Sequence, residues 1–228
     1  MGFFTAVKYV MKIRPANTRG KVRPPRTGLL TSYRSFSFEG YQDPRFNNWG
    51  PIKTINDDRA DPGFFTTWHE HQNLDILSYV VRGEVYHKDN LGNELVALPG
   101  QVQHMWCGSS IWHSEANKGT ETNRYLQIWI RYPKSHTPKD MSPKYTLVDR
   151  NPEFAKLAIE LQNPNIEVWA GLLSGPMSTE NSYMLILEGS CVVNGQQLVE
   201  GDAVEIDTAL VVPDGTAHVL LFEITGTV

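Results

Sequence analysis

Apolar residues recur along this chain at alternate positions, in short runs broken by glycine, proline and asparagine. Leu126, Ile128 and Ile130 alternate with Gln127, Trp129 and Arg131, the period of a strand with one buried face. Leu74, Ile76, Leu77, Tyr79, Val80 and Val81 form a denser run of β-branched and large apolar side chains, which predicts another strand. Residues 7–13, Ser35–Phe38, Ile52–Asn56, Leu95–Leu98 and Val102–Trp106 read as further strands, the third closed by Asp57-Asp58. Asn194-Gly195, between Val192-Val193 and Gln196–Leu198, predicts a hairpin, because that pair suits the positive φ angles of a type I′ turn. Turn signals stand at Asp43-Pro44, Asn47–Pro51, Asn90–Asn93 and Pro99-Gly100. Asn151-Pro152-Glu153 could cap a helix, yet the segment after it reads equally well as a strand. Many short strands with hardly a helical stretch predict an all-β chain of barrels or sandwiches.

A proline-rich stretch divides the chain. The expectation is an N-terminal unit over residues 1–133, a linker over 134–150 and a C-terminal unit over 151–228. The second unit looks like a fainter copy of the first: Glu200-Gly201-Asp202 echoes Leu98-Pro99-Gly100, and Leu220-Leu221-Phe222 echoes Leu126–Ile130.

The bulk numbers change this picture little. With 228 residues, 40% hydrophobic, 20% charged and a formal charge of −4, the chain is an ordinary globular protein, without the basic surface that nucleic acid demands. Arg19, Lys21, Arg23 and Arg26 surround Pro24-Pro25. That stretch is a candidate partner patch, but reads better as a solvated linker, since the prolines prevent a regular element. Cys107 and Cys191 make no disulfide framework, which fits a reducing compartment. Residues 1–8 lack the basic start of a signal peptide, and no apolar run is long enough to span a bilayer. The expectation is a soluble, cytoplasmic protein that binds neither membrane nor nucleic acid directly.

The chemistry concentrates in two triplets, His69-Glu70-His71 and His113-Ser114-Glu115. In a strand, residues i and i+2 share a face. Each triplet therefore presents two donors on one side, and two such strands side by side would gather three imidazoles and a carboxylate. That donor set suits a first-row transition metal. An isolated His-x-His has a plainer reading, two half-exposed histidines on a strand; the second triplet, alternating in the same way, favours the metal. Its counterpart region in the second half has no His-x-His, and His218 reads as structural.

With these residues in view, the chain resembles the pirin family of the cupin superfamily. Gly63–Asp75, containing His69 and His71, looks like the first cupin motif, and Pro99–Met105 with Gly108 and His113–Asn117 looks like the second. The resemblance covers about residues 8–228 and implies two tandem cupin (jelly-roll) β-barrels, a bicupin. It implies an N-terminal barrel holding iron through His69, His71, His113 and Glu115, and a metal-free C-terminal barrel. Fe(II) is the expected metal, with other divalent first-row ions fitting the same donors. It also implies a dioxygenase of the quercetin 2,3-dioxygenase type, which opens a flavonol ring with O₂, Glu115 being ligand or proton acceptor. The alternative from another class is an iron-binding redox sensor that acts on a protein partner without turnover. Several residues depart from the bacterial members. Trp68 and Trp112 precede the ligands and, one step out of phase, should face outward. Trp106 and Cys107 also replace small residues; either would narrow access if it lined the cavity mouth, although Cys107 reads as buried and inert.

Overall fold

The computed structural model describes residues 11–23, 28–133, 138, 140–149 and 152–226. Residues 7–10 of the predicted first strand, Pro24–Arg26 of the basic stretch and Asn151 of the candidate helix cap lie outside the described residues. The described chain is built from strands, with a single 3₁₀ turn at Ala16–Thr18. No described helix is long and apolar enough to cross a membrane.

Two compact units account for the chain: one gathers Met1–Thr18, Glu153–Lys156 and Glu167–Thr225, the other gathers Arg19–Pro152, Leu157–Ile166 and Gly226–Val228. In chain order the strands begin with β1 (Met11–Arg14), which belongs to the first of these groups. The other group holds β2 (Gly20–Val22), β3 (Leu30–Arg34), β4 (Ile52–Ala60), β5 (His69–His71), β6 (Asp75–Arg82) and β7 (Val85–Asp89). It continues with β8 (Glu94–Ala97), β9 (Val102–Trp106), β10 (Ile111–Ala116), β11 (Asn123–Ile130) and β12 (Lys144–Val148). These form a seven-stranded sheet of order β12-β9-β6-β11-β4-β3-β2 and a four-stranded sheet of order β5-β10-β7-β8. The remaining strands are β13 (Ala155–Lys156), β14 (Ile166–Leu173), β15 (Met177–Glu188), β16 (Ser190–Val193), β17 (Gln196–Val199), β18 (Ala203–Pro213) and β19 (Ala217–Ile224). They run β13-β14-β19-β15-β18-β16-β17, with β1 added against β18. The Asn194-Gly195 turn has φ of 44° and 82° and joins β16 to β17, as its sequence requires. His218 sits against Glu188, 3.5 Å away, consistent with a structural role.

Strand register explains why the seven-stranded sheet carries a polar band on one face. Cross-strand partners share a face, and Gln127 of β11 stands opposite both Asn56 of β4 and Ser78 of β6. Asn56 in turn faces Arg34 of β3. One row further along lie Ser32, Asp58 and Tyr125. Apolar clusters flank this band. Val80, Val85 and Tyr125 pack with Phe64 at one end; Ile76, Ile111 and Trp129 pack with Met105 at the other. The band is thus a polar interior between two apolar clusters.

Three expectations change here. Asp57-Asp58 does not end its strand: β4 continues to Ala60. Buried Asp57 accepts hydrogen bonds from Arg124 Nε at 2.9 Å and Nη2 at 3.0 Å, with Arg19 Nη2 at 3.4 Å, so its charge is matched inside the fold. Arg19 is thus buried, and the basic stretch is not a solvated linker throughout; Lys21 lies in β2. Ser35–Phe38 is no strand either: Phe38 and Tyr41 close a bridge, and Arg34 Nη1 donates to the Phe38 carbonyl at 2.7 Å. Leu30–Arg34 is the strand instead. After Glu153 the short strand β13 stands where a helix was one alternative.

Gly108 turns the chain between β9 and β10 with φ of 54°, and a Cβ there would overlap the Met141 carbonyl oxygen. Gly108→Ala is expected to cost about 1–3 kcal/mol through backbone strain and that overlap. Thermal unfolding checks it: an unchanged melting temperature would mean the loop adjusts freely.

Candidate metal centre and its cavity

The antiparallel pairing of β5 with β10 sets His69 opposite His113 and His71 opposite Ile111. Alternation along β5 then puts both its histidines on the side where His113 points. The ring centroids of His69 and His113 are 4.3 Å apart, those of His69 and His71 4.8 Å, and those of His71 and His113 5.0 Å. One ring nitrogen from each lies within 4.8 Å of the other two. The Nδ1 of His69 is 2.8 Å from the Thr67 carbonyl oxygen, the contact that an Nδ1–H donor makes, leaving Nε2 with its lone pair. Both ring nitrogens of His113 and Nε2 of His71 are buried without a hydrogen-bond partner. Buried polar atoms are normally paired, so three imidazoles converging with orphaned nitrogens fit a metal ion. Their protonation agrees. Burial, with His69 and Lys53 nearby, lowers His71 to about 4. Burial and three neighbouring histidines push His113 down further. Both rings are neutral near pH 7, as ligands must be.

Glu115 follows on β10 and points to the same interior, but its nearest donor company is different. Its carboxylate lies within 4.8 Å of ligand atoms of His113 and of His87, because β7 sets His87 opposite Glu115. It also reaches the polar band, accepting from Ser78 Oγ at 3.2 Å and Gln127 Nε2 at 2.9 Å. Burial raises it to about 7, Asp58 adding to the rise while Ser78 and Gln127 oppose it. His87 escaped the sequence reading. Its ring is 3.0 Å from Asp89 and stacks on Tyr145 at 4.5 Å. The alternation His87-x-Asp89, like that of the two triplets, was the available signal.

His69, His71 and Glu115 open onto a cavity of about 170 Å³, lined also by Phe38, Trp129, Gln127 and Asp58. Phe38 meets Trp129 edge-on at 4.8 Å, and Trp129 meets His71 edge-on at 4.7 Å. Trp68 and Trp112 are 47% and 43% exposed, facing outward as their phase requires. Trp106 and Cys107 are buried and do not line this cavity. Burial pushes the Cys107 thiol far above its ordinary value, so it is inert as a nucleophile.

Asp58, fully enclosed, is raised to about 7 by burial, with Asp57 adding and Ser32 and Arg34 opposing. A carboxyl raised from 3.8 in this way contributes stability that is complete below pH 3.8 and is lost as pH rises to about 7. Asp58→Asn removes that titration. In metal-free protein the melting temperature of the variant, relative to wild type, should therefore climb between about pH 4 and 7 and level off above. A difference that is flat with pH would contradict the burial argument.

The chain is similar to known proteins in sequence and in fold. The profile of the family described as Pirin matches residues 13–130. A pirin-like protein of Caulobacter vibrioides is 33% identical over 81% of this chain and 87% of its own. A quercetin 2,3-dioxygenase of Escherichia coli K12 is 30% identical over 93% of this chain and 97% of its own. The crystal structure of the bacterial pirin YhhW from Escherichia coli in complex with nickel(II) superposes with a TM-score of 0.83 at 26% identity, covering 96% of this chain and all of that one.

Proposed function

Because the chain belongs to the pirin family, we propose that it is a metal-dependent dioxygenase of the quercetin 2,3-dioxygenase type, opening a flavonol ring with O₂. The observation that carries this reading is the convergence of three imidazoles, the buried nitrogens of His71 and His113 among them lacking hydrogen-bond partners, beside a cavity with an aromatic side. His69, His71, His113 and Glu115 are the residues proposed to hold the metal, Fe(II) in the first instance. Iron held by these residues would supply Lewis-acid and redox chemistry toward an oxygen-donor substrate and O₂. The protein's own groups do the rest. Glu115, held within hydrogen-bond reach of Ser78 and Gln127 on the cavity wall, is placed to accept the proton of the flavonol hydroxyl. Gln127 and Ser78 hold the Glu115 oxygens in place. Trp129 and Phe38 give the flat rings an apolar wall and keep water from them.

Oxygen uptake by iron-loaded protein with quercetin tests this. The expected result is O₂ consumption in step with bleaching of the flavonol, absent from the metal-free protein. Bleaching at the same rate without metal would end the proposal.

A further inference from the structure

The cavity has a second polar feature that the metal chemistry does not use. Asp58 is 5% exposed, lines the cavity and keeps its Oδ1 without a hydrogen-bond partner. Its surroundings fix it in place. Ser32 stands opposite on β3 and hydrogen-bonds to the carboxyl, while the Arg34 guanidinium offsets part of the cost of burying its charge. Arg34 is itself held, donating to Ser32 Oγ at 3.4 Å and to the Phe38 carbonyl at 2.7 Å. Tyr125, the cross-strand partner on the other side, completes the row. An immobilised acceptor left open beside an aromatic wall is a recognition group for a hydrogen-bond donor.

We propose that Asp58 is a specificity-determining residue, which accepts a hydrogen bond from a ring hydroxyl of the substrate remote from the oxygens presented to the metal. The substrate class is then a polyhydroxylated aromatic, and not any planar enol that can chelate. The inference rests on the reading of this cavity as a flavonol site. It adds a demand which that reading does not make: two anchors in one cavity, the imidazoles at one and Asp58 at the other. Removing a donor's partner in a closed site leaves a polar group unpaired, which is why such sites discriminate strongly. Asp58 is raised to about 7 by burial, so its acceptor strength is greatest above neutrality.

The test measures affinity at pH 8 with the nickel-loaded full chain, using calorimetric titration of two flavonols. Quercetin carries hydroxyls on its outer rings; 3-hydroxyflavone has the chelating group alone. Wild type is expected to prefer quercetin by about ten- to a hundredfold, the range of a hydrogen bond to a charged group. In Asp58→Asn that ratio should collapse toward one. Equal affinities in wild type would overturn the proposal without recourse to any variant, and so would an Asp58→Asn ratio equal to wild type. The outcomes separate the two readings. Turnover without ring-hydroxyl preference would remove the Asp58 role and keep the oxygenase. Preferential binding that depends on Asp58, without turnover, would do the reverse.

Discussion

Replacing His113 with alanine is expected to lower affinity for a divalent first-row metal by more than about a hundredfold. Outer-shell partners of metal ligands alone are worth about 10–100-fold, and His113 stands at the centre of the donor cluster. Its ring lies 4.3 Å from that of His69 and 5.0 Å from that of His71, and it is the residue common to both donor groups. Without it, two imidazoles from a single strand remain on one side and Glu115 with His87 on the other. The measurement is metal per chain after dialysis, followed by nickel titration of the metal-free variant. Because both His113 nitrogens lack a partner in the fold, no hydrogen bond is lost with the ring. The unfolding transition should therefore stay cooperative. Retention of a full equivalent of metal by His113→Ala would show that the donors lie elsewhere.

Glu115→Gln is expected to lower flavonol turnover by about 10²–10⁴-fold, the usual contribution of a positioned general base. Glutamine keeps the shape but cannot take up the hydroxyl proton. It also forces a rearrangement of hydrogen bonds, since Gln127 Nε2 and Ser78 Oγ both donate to the present carboxylate and an amide offers only one oxygen to accept. The three histidines stay, so turnover should be compared at saturating metal, with bound metal quantified in the same samples. A variant that turns over at the wild-type rate with full metal would remove Glu115 from the chemistry.

How much of this was legible in the sequence depends on whether the deciding contact is local. Period-two alternation fixed the phase of His69, His71, His113 and Glu115, and equally that of Trp68 and Trp112, because a strand has only two faces. The all-β character followed from the same periodicity and from turn residues such as Asn194-Gly195. What could not be read were pairings between distant residues. Asp57 looked like a strand terminator because its neutralising partners, Arg19 and Arg124, are far away in the chain. Leu30–Arg34 hid as a strand because Ser32 and Arg34 serve the polar band rather than an apolar core. Glu115 lines one cavity with His69 and His71, and register also faces it with His87, a partner that no spacing rule links to residue 115.

The placement of β1 has a consequence for how the chain is made. Met11–Arg14 hydrogen-bonds to Ala203–Ile206, so this segment waits for a partner synthesised much later in the chain. During translation that waiting strand has a bare edge, open to a neighbouring nascent chain. Removing the chain up to residue 14 would leave the Ala203–Ile206 edge of β18 bare instead, a template for pairing with another chain.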